Sequence, residues 1–301
     1  SKKKPVQIYY GKFGDSKKAS IVEAKVSEDC ILPVRGKSCS QNAMPYLAQK
    51  FPTYDSFASA TLTDIYTQSS LQQAQAFQVN YLESAILIND GDARFKVKPL
   101  PELSQISPGF GVVATEVNGD GNADIYIVQN FYHPQRETGK MAGGLSVLLL
   151  GDGAGSFDQV WPNQSGLIVS EDARGLSSCD WNNDGWVDFV VSVNNGKMKL
   201  FENNPDPSNE LNSLKVRLSY AQGNPNGVGS KVSVIMEDGT VQSDEVSAGG
   251  SYLSQSSPDL FFGVGLEKKI KSINVRWPDG KETVNEYKKG ENIINIRRNV
   301  N

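Results

Sequence analysis

The chain has 301 residues, a net charge of −4 and a hydrophobic fraction of 38%. That length holds one large or two medium domains of ordinary globular composition. The charge balance supplies no basic field for nucleic acid, and no apolar stretch approaches the roughly 18 residues of a membrane span, so neither partner is expected.

A strand is predicted at 6–10, followed by a turn in Gly14-Asp-Ser-Lys-Lys-Ala-Ser20. Cys30 and Cys39 lie in a loop-like stretch rich in Gly, Pro and Ser. With Cys179 they are the chain's three cysteines, and no CxxC pair points to zinc or thioredoxin chemistry. From about 40 to 76 the spacing turns helical. Asn42 is expected to cap a first short helix with Pro45 in its first turn. Asp55 is expected to cap a second, carrying Phe57, Ala58, Leu62 and Ile65 on one face, and Ser69 or Ser70 a third.

Strands ending in Gly/Asp turns come next. Residues 85–88 run into Asn89-Asp-Gly-Asp-Ala-Arg-Phe95, residues 146–150 into Gly151-Asp-Gly-Ala-Gly-Ser-Phe157, and residues 199–201 into Glu202-Asn-Asn204. Among them an acidic loop occurs twice, as Glu116-Val-Asn118-Gly-Asp120-Gly-Asn122-Ala-Asp124 and as Asp180-Trp-Asn182-Asn-Asp184-Gly-Trp186-Val-Asp188. Oxygen-bearing side chains occupy positions 1, 3, 5 and 9 of each copy, namely Glu116, Asn118, Asp120 and Asp124, then Asp180, Asn182, Asp184 and Asp188. A hard cation such as Ca2+ needs several oxygens at short range, and Gly at position 6 permits the bend that makes them converge. Position 12 is Ile127 or Val191, not the Glu of an EF-hand, and an apolar strand follows each copy, so these loops join strands. Asp, Asn and Gly also build turns without any ion; two copies in register favour the chelate. Asp120 and Asp184 are 64 residues apart, and Phe95 and Phe157 are 62 apart. These steps indicate a repeating four-stranded unit, the size of a propeller blade. The turn at Asp15 reads as a worn copy, with Ser20 where the loop at 116–124 has Asp124, and as a poor metal site.

After a linker at 204–209, strands are predicted at 214–220, 231–236, 242–246, 260–262, 270–277, 282–287 and 293–296. Short strands at this spacing, without helices, predict a β-sandwich. The expected fold is thus mostly β: a partial propeller of about three blades in 1–205, with a helical insertion at about 40–76, then a sandwich in 212–301. About three blades do not close a ring. The count leaves apolar blade faces for the remaining blades of a longer chain, of which this would be a fragment, or for a neighbouring molecule.

The acidic loops, with their NDG and GDGxGxF tails, resemble FG-GAP or VCBS repeats, the blades of integrin-type propellers. The resemblance implies calcium held by the side chains at positions 1, 3, 5 and 9 and by the carbonyl at position 7, which adds Asn122 to the first set and Trp186 to the second. Glu116 departs from the usual Asp. The C-terminal stretch is similar to the ASPIC/UnbV domain of cartilage-acidic-protein-like chains. The matching residues are Gly227-Val-Gly-Ser-Lys-Val232, Gly249-Gly-Ser-Tyr-Leu-Ser-Gln255, Phe262-Gly-Val-Gly265 and Val275-Arg-Trp-Pro-Asp-Gly280. Together these resemblances imply a secreted, cell-surface or periplasmic protein, non-catalytic, with a calcium-dependent interaction or adhesion role toward protein or glycan.

In an exported chain a Cys30–Cys39 disulfide is expected, with Cys179 left as a buried thiol. The alternative function is a carbohydrate-binding or polysaccharide-active protein. Against catalysis, no GxSxG, HExxH or phosphate-cradling Gly loop is present. His133 is the chain's single histidine, and no carboxylate pair outside the loops stands out as acid and base. Trp161, Trp181, Trp186, Phe131 and Tyr132 lie near the acidic loops, where they could stack on sugar rings or pack between sheets.

Overall fold

The computed structural model describes residues 3–28, 30–136, 138–206, 212–220, 223–265 and 269–298. The described chain is mostly β and falls into two compact units, residues 1–83 with 135–139 and residues 84–134 with 140–301. Among the described residues no helix is long and apolar enough to cross a membrane.

In the first unit β1 (Val6–Gly11), β2 (Ser20–Ser27), β3 (Cys30–Pro33) and β4 (Gln75–Val79) form an antiparallel sheet in the order β3-β2-β1-β4. Five short helices connect β3 to β4: α1 (Lys37–Ala43), α2 (Tyr46–Lys50), α3 (Tyr54–Ala58), α4 (Leu62–Tyr66) and α5 (Gln68–Gln73). Leu47, Phe57, Leu62, Ile65 and Tyr66 from the helices share a buried core with Phe13, Val22 and Ala24.

The predicted caps are displaced. Thr53, Thr61 and Thr67 start α3, α4 and α5, each hydroxyl accepting a backbone N–H, and Asp64 completes a capping box with Thr61. Asn42 instead lies inside α1, Asp55 adds negative charge to the first turn of α3, and Ser69 and Ser70 lie inside α5. Leu62 and Ile65 belong to a separate helix from Phe57, because the chain breaks at Ala60 and Thr61. The Cys30–Cys39 bridge is not formed. Cys30 sits in β3, where its Sγ donates to Ser27 O at 3.4 Å, and Cys39 is carried by α1.

The second unit begins with a hairpin, β5 (Ala85–Asn89) and β6 (Phe95–Pro99), whose strands pair only with each other. Two sheets follow. β7 (Gly109–Thr115), β8 (Asp124–Gln129), β9 (Val147–Gly151) and β10 (Phe157–Val160) form one antiparallel meander, and β11 (Ala173–Cys179), β12 (Asp188–Val193) and β13 (Lys199–Phe201) form a second. Both carry a register shift at the same place, between Gly109 and Val112 and between Ala173 and Leu176. β7 and β11 approach closely: a Cβ on Gly111 would lie 2.6 Å from Leu176 Cβ. Val113, Tyr126, Val128 and Leu148 of the first sheet share one core with Leu176, Phe189 and Val191 of the second.

The C-terminal strands are β14 (Asn212–Ser219), β15 (Lys231–Met236), β16 (Val241–Glu245), β17 (Leu260–Val264), β18 (Ile270–Arg276), β19 (Glu282–Asn285) and β20 (Ile293–Arg297). They form two sheets, in the orders β17-β14-β20 and β16-β15-β18-β19. Leu214, Val216, Leu218 and Phe262 of one share a core with Val234, Ile273 and Val275 of the other. Side chains alternate along a strand, so with Leu214 and Val216 in that core Lys215 faces the opposite way. Of the predicted linker, Asn204, Pro205 and Asp206 are described, and 207–209 lie outside the described residues.

Candidate functional site

The first acidic loop joins β7 to β8 and the second joins β11 to β12. The two share most of their hydrogen bonds and differ at position 1, where Glu116 also accepts Asn118 and Gly119 N–H and Asp180 instead accepts Asp184 N–H. At position 9, one carboxylate oxygen accepts the N–H of position 2: Val117 to Asp124 at 2.9 Å and Trp181 to Asp188 at 2.7 Å. The other oxygen accepts from beyond the loop, from Gly151 N–H at 2.9 Å in the first copy and Asn203 N–H at 2.8 Å in the second. The position-1 carboxylate accepts the N–H of position 6, Gly121 to Glu116 at 2.7 Å and Gly185 to Asp180 at 3.0 Å. Position 5 accepts from position 7, Asn122 to Asp120 at 2.7 Å and Trp186 to Asp184 at 2.8 Å. Asn118 and Asn182 each accept the N–H of position 5 at 3.1 Å and donate to its carboxylate. Both loops require a left-handed residue at position 6, where Gly121 and Gly185 have φ of 92°.

The side chains at positions 1, 3, 5 and 9 of each copy hydrogen-bond within their own loop. The carboxylates accept from the loop's own N–H groups. Among the described residues, no three Asp, Glu, His or Cys side chains converge closely enough to hold a metal ion.

Electrostatically the copies differ. In the first, burial and then the nearby Asp124 push the Glu116 carboxyl up to about 7, and burial pushes Asp124 up to about 6. Among the described residues no Lys or Arg forms an ion pair with Glu116, Asp120 or Asp124. In the second, burial likewise raises Asp188, but Asp180 is paired. Lys215 Nζ reaches Asp180 Oδ2 at 2.5 Å and Asn183 Oδ1 at 2.8 Å, and the Lys215 and Asp180 side chains are only 4% and 0% exposed. Cys179, immediately before this loop, is a half-buried thiol, raised by burial and by the Asp188 charge.

Further contacts bind the loops to the C-terminal strands. Asn292 Nδ2 donates to Asp184 O at 3.0 Å. Gln242 Nε2 donates to Gly263 O at 2.7 Å, and Gly263 lies against Glu116 and Gly121 with no room for a Cβ. The segment Ser251-Tyr-Leu-Ser254-Gln-Ser256 runs along β7 and β11. There Ser251 Oγ accepts Val112 N–H at 3.0 Å, Ser254 Oγ accepts Leu176 N–H at 3.2 Å, and Ser256 Oγ accepts Ser178 N–H at 3.0 Å. Sequence reasoning missed Lys215, Gln242, Asn292 and these serines. The motif Gly249-Gly-Ser-Tyr-Leu-Ser-Gln255 was visible, but nothing local tells which backbone its hydroxyls meet.

The aromatic candidates separate. Trp161 and Trp181 are 52% and 68% exposed. Trp186 instead lines a cleft with Val117, Leu148, Phe189 and Phe201. Phe131 packs edge-on to Phe110 beneath the Arg174 guanidinium, and Tyr132 Oη donates to Ser170 O at 2.5 Å. His133 is a surface side chain, with Nδ1 3.7 Å from the buried Asp172 carboxylate.

Residues 220–300 match the family model described as ASPIC and UnbV. The chain is also similar to cartilage acidic protein 1 of Mus musculus, at 23% identity over 196 residues, which is 64% of this chain and 29% of that protein. The Homo sapiens cartilage acidic protein 1 is 22% identical over 206 residues, 67% of this chain and 30% of that protein. The chain thus spans less than a third of the length of these curated relatives. The ASPIC and UnbV match begins after β14, although β14 is the middle strand of its sheet. In sequence alone the match stops one strand short of the folded body.

Proposed function

We propose that the chain is a non-catalytic, calcium-dependent interaction module of an exported protein. In this reading the sheets β7–β10 and β11–β13 are FG-GAP/VCBS-type blades of an incomplete integrin-type propeller within 1–205, and 212–301 is an ASPIC/UnbV-like β-sandwich. The observation that carries it is the pair of acidic loops, which share the hydrogen bonds made by positions 3, 5 and 9 and the position-1 bond to Gly at position 6, and which lie on equivalent strand pairs 64 residues apart. The likeness to cartilage acidic protein 1 supports an extracellular setting.

Calcium would be held in the first loop by Glu116, Asn118, Asp120 and Asp124 with the Asn122 carbonyl. It would be held in the second by Asp180, Asn182, Asp184 and Asp188 with the Trp186 carbonyl. Bound there, the ion supplies positive charge to crowded carboxylates and ties down the loop. The first loop fits in its donor chemistry: all oxygen, buried, and without a cationic side chain. The second fits less well, because Asp180 already has Lys215. Ordered loops at one end of the strands would then present a surface to a protein or glycan partner.

Calorimetry on the chelator-stripped full chain tests this reading. A saturable calcium site lost in Asp120→Ala is expected, together with a calcium-dependent rise in Tm. No heat and no Tm shift would end the calcium reading. The glycan-binding alternative is favoured by the exposure of Trp161 and Trp181. A glycan array with and without chelator, repeated on Trp181→Ala, decides that point.

A further inference from the structure

Lys215 is among the few charged side chains buried in the second unit, and a buried ammonium persists only where it is paired and hydrogen-bonded. Strand alternation aims it away from the core formed by Leu214 and Val216 and toward the second acidic loop. Its Nζ meets position 1, Asp180 Oδ2 at 2.5 Å, and position 4, Asn183 Oδ1 at 2.8 Å. Lys215 N–H donates to Asn292 O at 2.8 Å, and Asn292 in turn donates to Asp184 O at 3.0 Å. Loop, β14 and the turn before β20 are therefore joined by four hydrogen bonds. At the corresponding place in the first loop stands Gly263, a residue without a side chain, packed against Glu116.

A divalent ion bound through Asp180 would sit within a few ångströms of this ammonium, in a site shielded from water, where like charges repel strongly. We propose that Lys215 is an internal cation that takes the place of calcium at the second acidic loop, excludes the ion from it and latches β14 to it. The inference rests on reading the loops as chelates, but it reverses the expectation for the second copy. One loop is left to answer to calcium, and the other is a permanent joint.

The test uses the full chain in an Asp120→Ala background, which silences the first loop. Terbium(III) is titrated under Trp-selective excitation, with Trp181 and Trp186 in the second loop as antennae, and calcium is used to displace it. With Lys215 present, saturable sensitised emission should be absent or weak. Lys215→Met should tighten terbium and calcium binding by at least about tenfold, the effect of removing one buried positive charge beside the site. Equal affinity with and without Lys215 would overturn the proposal, whether both bind tightly or neither does. If Lys215→Met does not fold, Asp180→Asn in the wild-type background decides. An unchanged number of calcium ions bound supports the latch, and the loss of one overturns it. A first loop silent to calcium, with the gain in Lys215→Met intact, would end the calcium reading of the first loop and still support the latch.

Discussion

The two acidic loops share most of their internal hydrogen bonds and differ in where their positive charge comes from. In the first, burial raises both Glu116 and Asp124, and the Asp124 charge raises Glu116 further, with no Lys or Arg in an ion pair among the described residues; in the second, Asp180 faces the Lys215 ammonium across 2.5 Å. The difference teaches that a loop's shape and a loop's charge balance are encoded in different places. Shape is local: Asp or Asn at alternate positions turning onto N–H groups two residues on, with Gly at the left-handed site. Charge balance is set by what folds over the loop, here a strand that begins more than twenty residues downstream.

The largest effect expected is one the loops share. Asp124→Ala and Asp188→Ala each strand two N–H groups, part-buried except for the buried Gly151 N–H, at about 1–3 kcal/mol apiece. Urea unfolding should show a loss of roughly 2–5 kcal/mol in either variant, similar in the two. A loss below about 0.5 kcal/mol in one alone would break the structural equivalence.

Position 1 should separate the loops. Lys215→Met in chelator leaves Asp180 buried and uncompensated, and is expected to cost about 3 kcal/mol. Glu116→Gln in chelator removes a charge that the first loop leaves uncompensated, and is expected to change stability by less than about 1 kcal/mol or to raise it. Denaturant midpoints of the two variants would show the contrast, and equal losses would erase it.

The pH response sharpens the same point. Glu116 has a folded value of about 7 against an ordinary 4.5, so the folded chain binds that proton more tightly than the unfolded one. In chelator its contribution is therefore unfavourable above pH 7 and fades as pH falls toward 4.5. Stability should rise by on the order of 1–2 kcal/mol over that interval, and Glu116→Gln should flatten the rise. A fall in stability over the same range that Glu116→Gln leaves unchanged would contradict it. The most local effect expected is Ser254→Ala, at about 1 kcal/mol, with faster hydrogen exchange at the Leu176 amide as the specific readout.

Much of this architecture was legible in the residues. The C-terminal strands lie where alternation and the Gly turns at Gly227, Gly239 and Gly280 place them, because each strand is bounded by a residue that must leave the extended region. The acidic loops were legible for the same reason. The helical segment was legible as helix but not in its divisions. Thr53, Thr61 and Thr67 compete with nearby Asp and Ser for the same capping role, and which one wins depends on the core formed by Phe57, Leu62 and Ile65. Strand pairing was the least legible. The strand β4, which follows the helical segment and pairs with β1, was not read from the residues at all, and a lone Lys215 in an apolar strand gives no sign of the loop it reaches.

The serines along β7 and β11 carry a consequence for the borders of their two sheets. An uncovered strand border is a template on which any passing extended peptide can add itself, and proteins blunt such borders in various ways. Here the N–H groups of Val112, Leu176 and Ser178 are taken by Ser251, Ser254 and Ser256, side chains rather than a further strand. A hydroxyl satisfies one amide and then ends the pattern. It offers no continuing row of donors and acceptors, so the segment seals the border without becoming a new one.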